Sequence, residues 1–373
     1  MSARVHGPGR QLPIALVRRG YSPTGGAENF LLRFAAEAQN LGRSLVLVTD
    51  RPWPENAREG VPQIVLPGRT VWDFARSVAR WRESWGDGVV FSLERLLSAD
   101  CYRAGDGVYA AWMRRRSEFD PFFRVLLRKL ARKHFHLLHL ERRCFSPRHT
   151  GAVIVNSRLV AAEIETLFGY PPEKIHLVRN GLPADFAENA PDKLGARRRL
   201  GLPDRGFVAA FAGTGWQRKG LRFAIAAMAG ADIPGAKLAV AGRGRPPAGA
   251  GADTLFLGPM SDVRPLLSAA DVFILPTVYD PFSNACLEAL AMGRPVITTS
   301  SNGCAEVLRE GVNGSVVQRP DDIAGLSRAL RYWSEEARAE SAAPECRAVL
   351  SGCSLAQNVS RTLDILEAVH RPS

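Results

Sequence analysis

The sequence lacks any long run of apolar residues. Its longest runs, such as 207–212 and 272–275, are far shorter than the roughly 20 residues that a membrane-spanning helix needs. The apolar stretch 12–17 near the N-terminus is also too short for the core of a secretory signal peptide. We therefore expect neither a transmembrane helix nor a secretory signal, and we expect a cytoplasmic protein.

The sequence also lacks the residue spacings of several familiar cofactor sites. Its six cysteines include no Cys-x-x-Cys pair and none at zinc-ligand spacing from a histidine, so reduced thiols are expected. No Asp-x-Asp motif occurs, so a divalent metal bridging a diphosphate is not indicated. The Gly-x-Gly-x-x-Gly spacing of dinucleotide-binding domains is missing from the first glycine-containing loop. We expect no metal and no cofactor.

What the sequence does have is the length and pattern of two α/β domains. Its 373 residues exceed the about 250–300 at which single hydrophobic cores stop growing, and 46% of them are hydrophobic. Continuous β-branched runs alternate with helices, which is typical of doubly wound parallel sheets. The predicted strands are 12–17, 45–49, 64–66, 89–91, 153–156, 207–212, 238–241, 254–257, 272–275 and 296–299. The predicted helices are 27–41, 220–229, 262–269, 284–292, 303–309 and 355–369.

The domain boundary is predicted near the middle of the chain. The strand–helix pattern restarts after Asn180-Gly181, and the polar, proline-containing stretch 182–205 is the best linker candidate. We therefore predict one Rossmann-like domain at 1–182 and a second at 183–354. The last helix, within 355–373, could pack on either half.

Positive charge is concentrated in one segment. The net charge is +12, and the basic segment 109–145 carries ten Lys or Arg against three acids. Leucines and phenylalanines interleave with these cations, which favours an amphipathic patch on an anionic membrane surface. The alternatives are a solvated helix whose apolar face packs on the N-terminal domain, and nucleic-acid binding, which no recognised module supports.

Loops after buried strands carry the candidate chemistry, because ligands of open α/β sheets bind beyond the carboxyl ends of the strands. Gly25-Gly26 follows the first strand and allows close approach of backbone amides to a ligand. Arg218-Lys219 follows strand 207–212 and offers a guanidinium fork beside a point charge, which suits a diphosphate.

Two further loops open helices in the second half. Ser283 and Asn284 are good capping residues, so a helix should begin there, with Asp280 before it and Glu288 inside it. Asp280 and Glu288 could both contact one elongated ligand. The polar loop 300–306 ends in Glu306, and ligand contact and plain helix capping are equally good interpretations of it.

Asp280 and Glu288, followed by Ala-Leu-Ala-Met-Gly-Arg-Pro-Val-Ile-Thr-Thr, resemble the Glu-x7-Glu signature of glycosyltransferase family 4, which has the GT-B fold. Other elements lie where that family has its matching ones: Gly25-Gly26, Arg218-Lys219 and the turn Val178-Arg179-Asn180-Gly181. The compact Gln217-Arg218-Lys219-Gly220 and the stretch 99–109 before the basic segment further resemble the WaaG-type lipopolysaccharide core glycosyltransferases. The resemblance implies two Rossmann-like domains that face each other across a cleft.

The resemblance also implies roles for matching residues. Arg218 and Lys219 would hold the donor diphosphate as it leaves, Asp280 would contact the transferred sugar, and Glu288 would bind the ribose hydroxyls. The other donor-binding positions would be Gly25, Gly26, Pro259, Met260, Ser283, Asn284 and Ala285. Two departures occur: the first acid is Asp280 rather than Glu, and the histidine of many relatives is replaced by Asp106, as in the WaaG-type group. Asp106 is therefore the candidate for acceptor-side catalysis.

The implied activity is that of a retaining, metal-independent hexosyltransferase. It would use a nucleotide-sugar donor, with a UDP-sugar expected, and a glycan or glycolipid acceptor such as the lipopolysaccharide core. The basic segment 109–145 predicts a peripheral location on the inner face of the cytoplasmic membrane. The alternatives are a GT-B epimerase or phosphorylase, and a nucleotide-binding protein without catalysis.

Overall fold

The computed structural model describes residues 12–22, 26–58, 60–86, 88–129 and 131–369. Within these residues, the first half of the chain forms a sheet of seven parallel strands. The strands are β1 (Ile14–Val17), β2 (Leu45–Thr49), β3 (Gln63–Val65), β4 (Val89–Ser92), β5 (Ala99–Arg103), β6 (Thr150–Val155) and β7 (Ile175–Leu177), in spatial order β3-β2-β1-β4-β5-β6-β7. The helices of this half are α1 (Gly26–Asn40), α2 (Glu55–Arg58), α3 (Val71–Arg82), α4 (Tyr109–Ser117), α5 (Phe122–Lys129), α6 (Arg132–Cys144) and α7 (Arg158–Phe168), with a 3-10 turn at Pro172–Lys174.

The second half repeats this architecture with six parallel strands in its described residues. The strands are β8 (Val208–Ala212), β9 (Lys237–Ala241), β10 (Thr254–Gly258), β11 (Val272–Leu275), β12 (Val296–Thr299) and β13 (Gly314–Val317), in spatial order β10-β9-β8-β11-β12-β13. The helices are α8 (Lys193–Arg199), α9 (Trp216–Lys219), α10 (Leu221–Ala231), α11 (Arg264–Ala269), α12 (Asn284–Ala291), α13 (Ile323–Trp333), α14 (Glu336–Ser341), α15 (Ala343–Ala348) and α16 (Leu355–Val369), with 3-10 turns at Gly303–Val307 and Val349–Gly352.

The strand orders confirm the predicted fold class of two doubly wound α/β sheets. In each sheet the order reverses between two central neighbours, β1 and β4 in the first and β8 and β11 in the second. All residues of these four strands are buried, because helices cover both faces, and this explains their continuous apolar sequences. The crevice beside such a reversal point is where open α/β sheets bind ligands.

Three strands were not predicted from the sequence. β5 reads Ala-Asp-Cys-Tyr-Arg and β13 reads Gly-Ser-Val-Val, so neither has an unbroken apolar run, and β7 has three residues. The predicted helix at 303–309 is a 3-10 turn, Gly303–Val307. Part of the predicted linker is the helix α8, whose buried Arg197 donates a hydrogen bond to Asp271.

The last helix packs on the first sheet. Leu182 and Ser354 form a β-bridge, so the chain returns from the second sheet at the place where it left the first. The α16 residues Val359, Leu363 and Leu366 are then buried in the hydrophobic core of the first sheet. This contact decides between the two positions that the sequence left open for this helix.

The basic segment forms three helices, α4, α5 and α6, rather than one. Pro121 precedes α5 and Ala131 precedes α6, so the chain turns at both points. α6 packs through the buried Leu140, Glu141 and Cys144. None of the described helices is both long enough and apolar enough to cross a bilayer.

Candidate active site

A cavity of about 900 Å³ lies between the carboxyl edges of the two sheets. Residues from both halves of the chain line it, including Phe30 and Arg33 of α1 and Glu288 of α12. Nine of the residues singled out in the sequence line this cavity: Asp106, Arg218, Lys219, Pro259, Met260, Asp280, Asn284, Ala285 and Glu288. The structure therefore brings together residues that are up to 182 positions apart in the chain.

A one-turn helix presents the cation pair. Gly215 and Gly220 flank α9 with φ values of 71° and 78°, a backbone conformation that favours glycine. A Cβ at Gly220 would lie 1.9 Å from the carbonyl oxygen of Pro276, so only glycine fits where the turn between α9 and α10 meets the residue after β11. The tight turn places Arg218 and Lys219 against the loop that follows β11.

Asp280 is the counter-charge of both cations. Lys219 Nζ contacts Asp280 Oδ2, Arg218 Nη1 lies 3.5 Å from the same oxygen, and Arg218 also donates to the carbonyl oxygen of Tyr279 at 2.9 Å. Asp280 is 5% exposed. Burial would raise the pKa of this carboxyl, but Lys219 and Arg218 outweigh burial and hold the pKa below its ordinary value. Asp280 is thus ionised at neutral pH.

The helix α12 begins at the cavity wall. The Ser283 side chain caps it by accepting a hydrogen bond from the amide of Cys286, and Asn302 Oδ1 accepts one from the amide of Ser283. Ser283 is buried and shapes the start of the helix, whereas Asn284 and Ala285 line the cavity. The positive end of the α12 dipole therefore points toward the cavity near the cation pair.

Glu288 lies one turn further along α12. Burial raises the pKa of its carboxyl to about 7, although Arg33 and Lys219 act in the opposite direction. Arg33 belongs to α1 of the first sheet, so the charge state of Glu288 depends on both halves of the chain. Its carboxyl can accept or donate a hydrogen bond near neutral pH.

Asp106 faces the cavity from the first sheet. It lies on the loop after β5, its side chain is 56% exposed, and its Oδ2 is 3.7 Å from Arg18 Nη1. Arg18 also pairs with Glu28 and Glu94, and burial raises the pKa of the Glu94 carboxyl. Asp106 is therefore the exposed carboxylate of an acidic cluster organised around one arginine.

The remaining predicted site residues take different positions. Pro259 and Met260 follow β10 on the cavity wall, opposite the first sheet. Gly26 is the first residue of α1, whereas Gly25 lies outside the described residues. In the loop 300–306, Asn302 caps the 3-10 turn. The Glu306 carboxylate accepts a hydrogen bond from the amide of Leu159 in the first half of the chain.

One tyrosine ties the two sides of the cavity together. The Tyr279 hydroxyl accepts a hydrogen bond from the amide of Val108 at 2.9 Å and donates one to Glu163 at 2.7 Å. Gly107 has a φ of 72°, and a Cβ there would lie 2.4 Å from the Tyr279 hydroxyl oxygen. The loop that carries Asp106 is thus packed against the residue that precedes Asp280.

Three polar residues of the cavity wall were not predicted as site residues, although one of them, Asn180, belongs to the turn 178–181 that resembles the family's. Arg103 is the last residue of β5, Asn156 directly follows β6, and Asn180 lies beyond β7. All three lie at carboxyl ends of strands. The predicted strand 153–156 could have indicated Asn156 by the strand-end rule, whereas Arg103 and Asn180 depend on β5 and β7, which were not predicted. Among the described residues, no group of three or more His, Cys, Asp or Glu side chains is placed to hold a metal ion.

Replacing Glu288 by Gln tests its pKa. The pKa of this carboxyl rises from 4.5 to about 7 on folding. The ionised carboxyl therefore destabilises the folded chain by the full amount above pH 7, and the protonated carboxyl does not destabilise it below about pH 4. Glu288→Gln should therefore raise the free energy of unfolding by roughly 1–3 kcal/mol at pH 8, and the gain should shrink as the pH falls from 7 to 4.5. Denaturant unfolding of both proteins at each pH measures it. The control is Glu165→Gln at an exposed position of α7, and an equal gain at pH 5 and pH 8 would contradict the assignment.

Comparison with known proteins places the chain in a family. The family model "Glycosyltransferase Family 4" matches residues 24–186, and "Glycosyl transferases group 1" matches residues 206–336. The lipopolysaccharide core biosynthesis glycosyltransferase LpsE of Rhizobium meliloti is 30% identical over 290 residues, which are 74% of this chain and 80% of LpsE. The lipopolysaccharide glucosyltransferase WaaG of Escherichia coli is 23% identical over 87% of this chain and 93% of WaaG. An uncharacterized glycosyltransferase of Methanocaldococcus jannaschii is 33% identical, but the match spans only 51% of its length.

Solved structures share the architecture. The structure of WaaG, a glycosyltransferase involved in lipopolysaccharide biosynthesis, superposes with a TM-score of 0.80 at 21% identity, over 95% of this chain and 99% of that one. HepE of Anabaena, solved in complex with UDP and glucose, superposes with a TM-score of 0.74 at 16% identity, over 96% and 100%. With its two opposed doubly wound sheets and these relatives, the chain belongs to glycosyltransferase family 4 and has the GT-B fold.

Proposed function

We propose that the protein transfers a hexose from a UDP-sugar to a glycan or glycolipid acceptor of the lipopolysaccharide core type. The observation that carries this proposal is the convergence of Arg218, Lys219 and the start of α12 on one cavity that Asp106 faces from the opposite sheet. The relatives LpsE and WaaG support the acceptor class by their names, and HepE supports the UDP-sugar donor because it was solved with UDP and glucose.

The second half, 183–354, is the proposed donor domain. The diphosphate would lie between the cation pair and the first turn of α12, where a guanidinium, an ammonium and a helix dipole all favour negative charge. Glu288 would accept hydrogen bonds from the ribose hydroxyls, and Pro259 with Met260 would border the base. Gly25 and Gly26 would approach the phosphates from the first half, 1–182, which is the proposed acceptor domain.

The proposed reaction breaks the bond between the anomeric carbon and the β-phosphate oxygen of the donor. An acceptor hydroxyl oxygen forms the new bond to that carbon, and its proton passes to the departing diphosphate. Positive charge develops on the sugar and negative charge on the leaving group. Arg218, Lys219 and α12 stabilise the leaving group, which is the task that a bridging metal performs in other enzymes. The transfer therefore needs no metal.

The stereochemistry is proposed to be retention by attack from the donor's front face. A double displacement would need a carboxylate that is free to attack the anomeric carbon. Asp280 is buried and bound to Lys219 and Arg218, so it serves as a counter-ion and sugar contact rather than as a nucleophile. The exposed carboxylate of Asp106 faces the cavity from the first sheet and is assigned to the acceptor side. NMR of the glycosidic product formed from an α-linked UDP-sugar should show an α linkage. A β linkage would rule out retention.

Replacing the cations should slow transfer. Lys219→Gln and Arg218→Gln each remove a charge that acts on the leaving group, and we expect kcat to fall by about 10²–10³-fold. Turnover of UDP-sugar with acceptor measures this, and UDP affinity should fall in parallel. Because Lys219→Gln leaves Asp280 without its contacting ammonium, the variant is also made together with Asp280→Asn.

The control for these variants is Arg222→Gln, an exposed arginine of α10 whose guanidinium lies over the Phe223 ring. Its activity should match wild type, and unchanged turnover in Arg218→Gln and Lys219→Gln would contradict the proposal.

Incubation of wild type with donor alone, then with free phosphate, tests the other classes. Sugar interconversion would indicate an epimerase, release of sugar phosphate a phosphorylase, and UDP binding without any turnover a non-catalytic protein.

The basic segment is proposed to hold the enzyme on the inner face of the cytoplasmic membrane. Among the described residues, five of the twelve exposed large hydrophobic side chains lie on it: Phe122, Phe123, Leu126, Leu127 and Phe135. Phe122 is 81% exposed and Leu127 65%. Arg132 and Lys133, which lie three and two residues before Phe135, are also exposed, so the segment presents both apolar side chains and cations to solvent.

Vesicle binding tests the membrane surface. Each cation near an anionic bilayer contributes about 1 kcal/mol, so Arg132→Glu with Lys133→Glu should weaken binding to phosphatidylglycerol vesicles at least about tenfold. Phe122→Asp with Leu127→Asp should weaken it similarly, whereas Leu194→Asp, at an exposed leucine of α8, should not. Sedimentation with vesicles of graded anionic content measures this. A membrane role would be contradicted if vesicle binding did not increase with anionic lipid content, or if both double variants bound the vesicles as wild type does.

A further inference from the structure

Two buried polar side chains of the cavity wall each keep an atom without a hydrogen bond. Arg103 ends β5 and Asn156 follows the neighbouring strand β6, and they are 4% and 1% exposed. Among the described residues, no group pairs with Arg103 Nη1 or with Asn156 Oδ1. Both side chains line the cavity between the sheets. Buried polar atoms are nearly always paired, so an unpaired donor and acceptor in a site wall indicate a ligand.

The contacts of Arg103 hold its guanidinium in place without neutralising it. Nη2 donates to Asn180 Oδ1 at 2.7 Å, and the guanidinium carbon lies 3.6 Å from the centroid of the Phe30 ring. Within the described part of the chain, no ion pair joins Arg103 to a carboxylate. By contrast, the buried Arg197 pairs with Asp271 and Arg95 pairs with Glu141.

The charge on Arg103 persists at neutral pH. Burial lowers the pKa of its guanidinium to about 10, and Asp106 partly opposes this. A buried charge is costly unless it is paired and hydrogen-bonded, so the fold tolerates a cation here that an anion would stabilise. The missing partner is therefore an anionic group that enters the cavity.

Asn156 supplies the complementary acceptor. Its Nδ2 donates to the carbonyl oxygen of Gly105 at 3.3 Å, which fixes the amide so that Oδ1 is the atom left for a ligand. A Cβ at Gly105 would lie 3.8 Å from Arg103 Nε, so the three residues are neighbours. Gly105 directly precedes Asp106. The pair thus lies beside the candidate acceptor-side carboxylate.

We propose that Arg103 and Asn156 form an acceptor subsite that binds an anionic substituent of the acceptor sugar, a phosphate ester or a carboxylate. Arg103 Nη1 donates to the anionic oxygen, and Asn156 Oδ1 accepts from an adjacent sugar hydroxyl. The proposal rests on the proposed transferase function and specifies its acceptor. The subsite belongs to the acceptor rather than to the donor because both residues end strands of the first sheet, whereas the diphosphate cations follow a strand of the second.

Three sugars with the same ring test the subsite: glucose 6-phosphate, glucuronate and glucose. Each is titrated calorimetrically into wild type with and without saturating UDP, which occupies the donor diphosphate site. Both anionic sugars, or one of them, should bind at least about tenfold more tightly than glucose, as expected for a charge-assisted hydrogen bond. The tighter of the two identifies phosphate or carboxylate. Equal binding of all three would overturn the proposal without any variant.

Variants assign the preference to named residues. Arg103→Gln should abolish the preference for anionic sugars, Arg103→Lys should keep part of it, and Asn156→Ala should weaken all three sugars by a similar factor. UDP affinity should change less than about twofold in Arg103→Gln. A tenfold loss of UDP affinity would overturn the proposal by assigning Arg103 to the donor. Wild type that fails to bind UDP would contradict the transferase function instead, and the titrations without UDP would still decide the subsite.

Discussion

A buried carboxylate between two cations organises the cavity of this protein. Asp280 is 5% exposed, and Lys219 and Arg218 hold the pKa of its carboxyl below the ordinary value despite burial, while the carboxylate offsets the repulsion between the two cations. The backbone of Asp280 also joins the loop at 301–303, since its amide donates to Ser301 and its carbonyl accepts from Gly303. One residue therefore fixes the distance between the ends of β8, β11 and β12, and with it the start of α12.

Polar contacts connect this centre with the other sheet. Tyr279 bonds to Val108 beside the loop of Asp106, and Asn180 accepts from Arg103 while it donates to Asn284 at the start of α12. The two sides of the cavity are thus joined by direct hydrogen bonds. In a transferase this arrangement would align an acceptor hydroxyl with the donor's anomeric carbon, and alignment accounts for a large part of catalysis.

The sequence alone predicted the parts of the fold and of the site that depend on local residue patterns. Apolar runs revealed the central strands, and Ser283 with Asn284 revealed the start of α12, because burial and capping act over a few residues. It was not sufficient where distant residues meet. Arg103 lies on a strand with mixed polarity, and its partner Asn180 is 77 positions away, so no spacing indicated their contact. The basic segment also forms three helices, with turns at Pro121 and Ala131, and the buried Leu140 of α6 packs in the core of the first sheet.

The cation pair and the start of α12 are proposed to act on one diphosphate. A crystal structure of the protein with UDP bound tests it most directly. We expect the β-phosphate within hydrogen-bond distance of Arg218, Lys219 and the first-turn amides of α12, with the ribose hydroxyls at Glu288. A diphosphate bound elsewhere, with Arg218 and Lys219 still turned only toward Asp280, would contradict it.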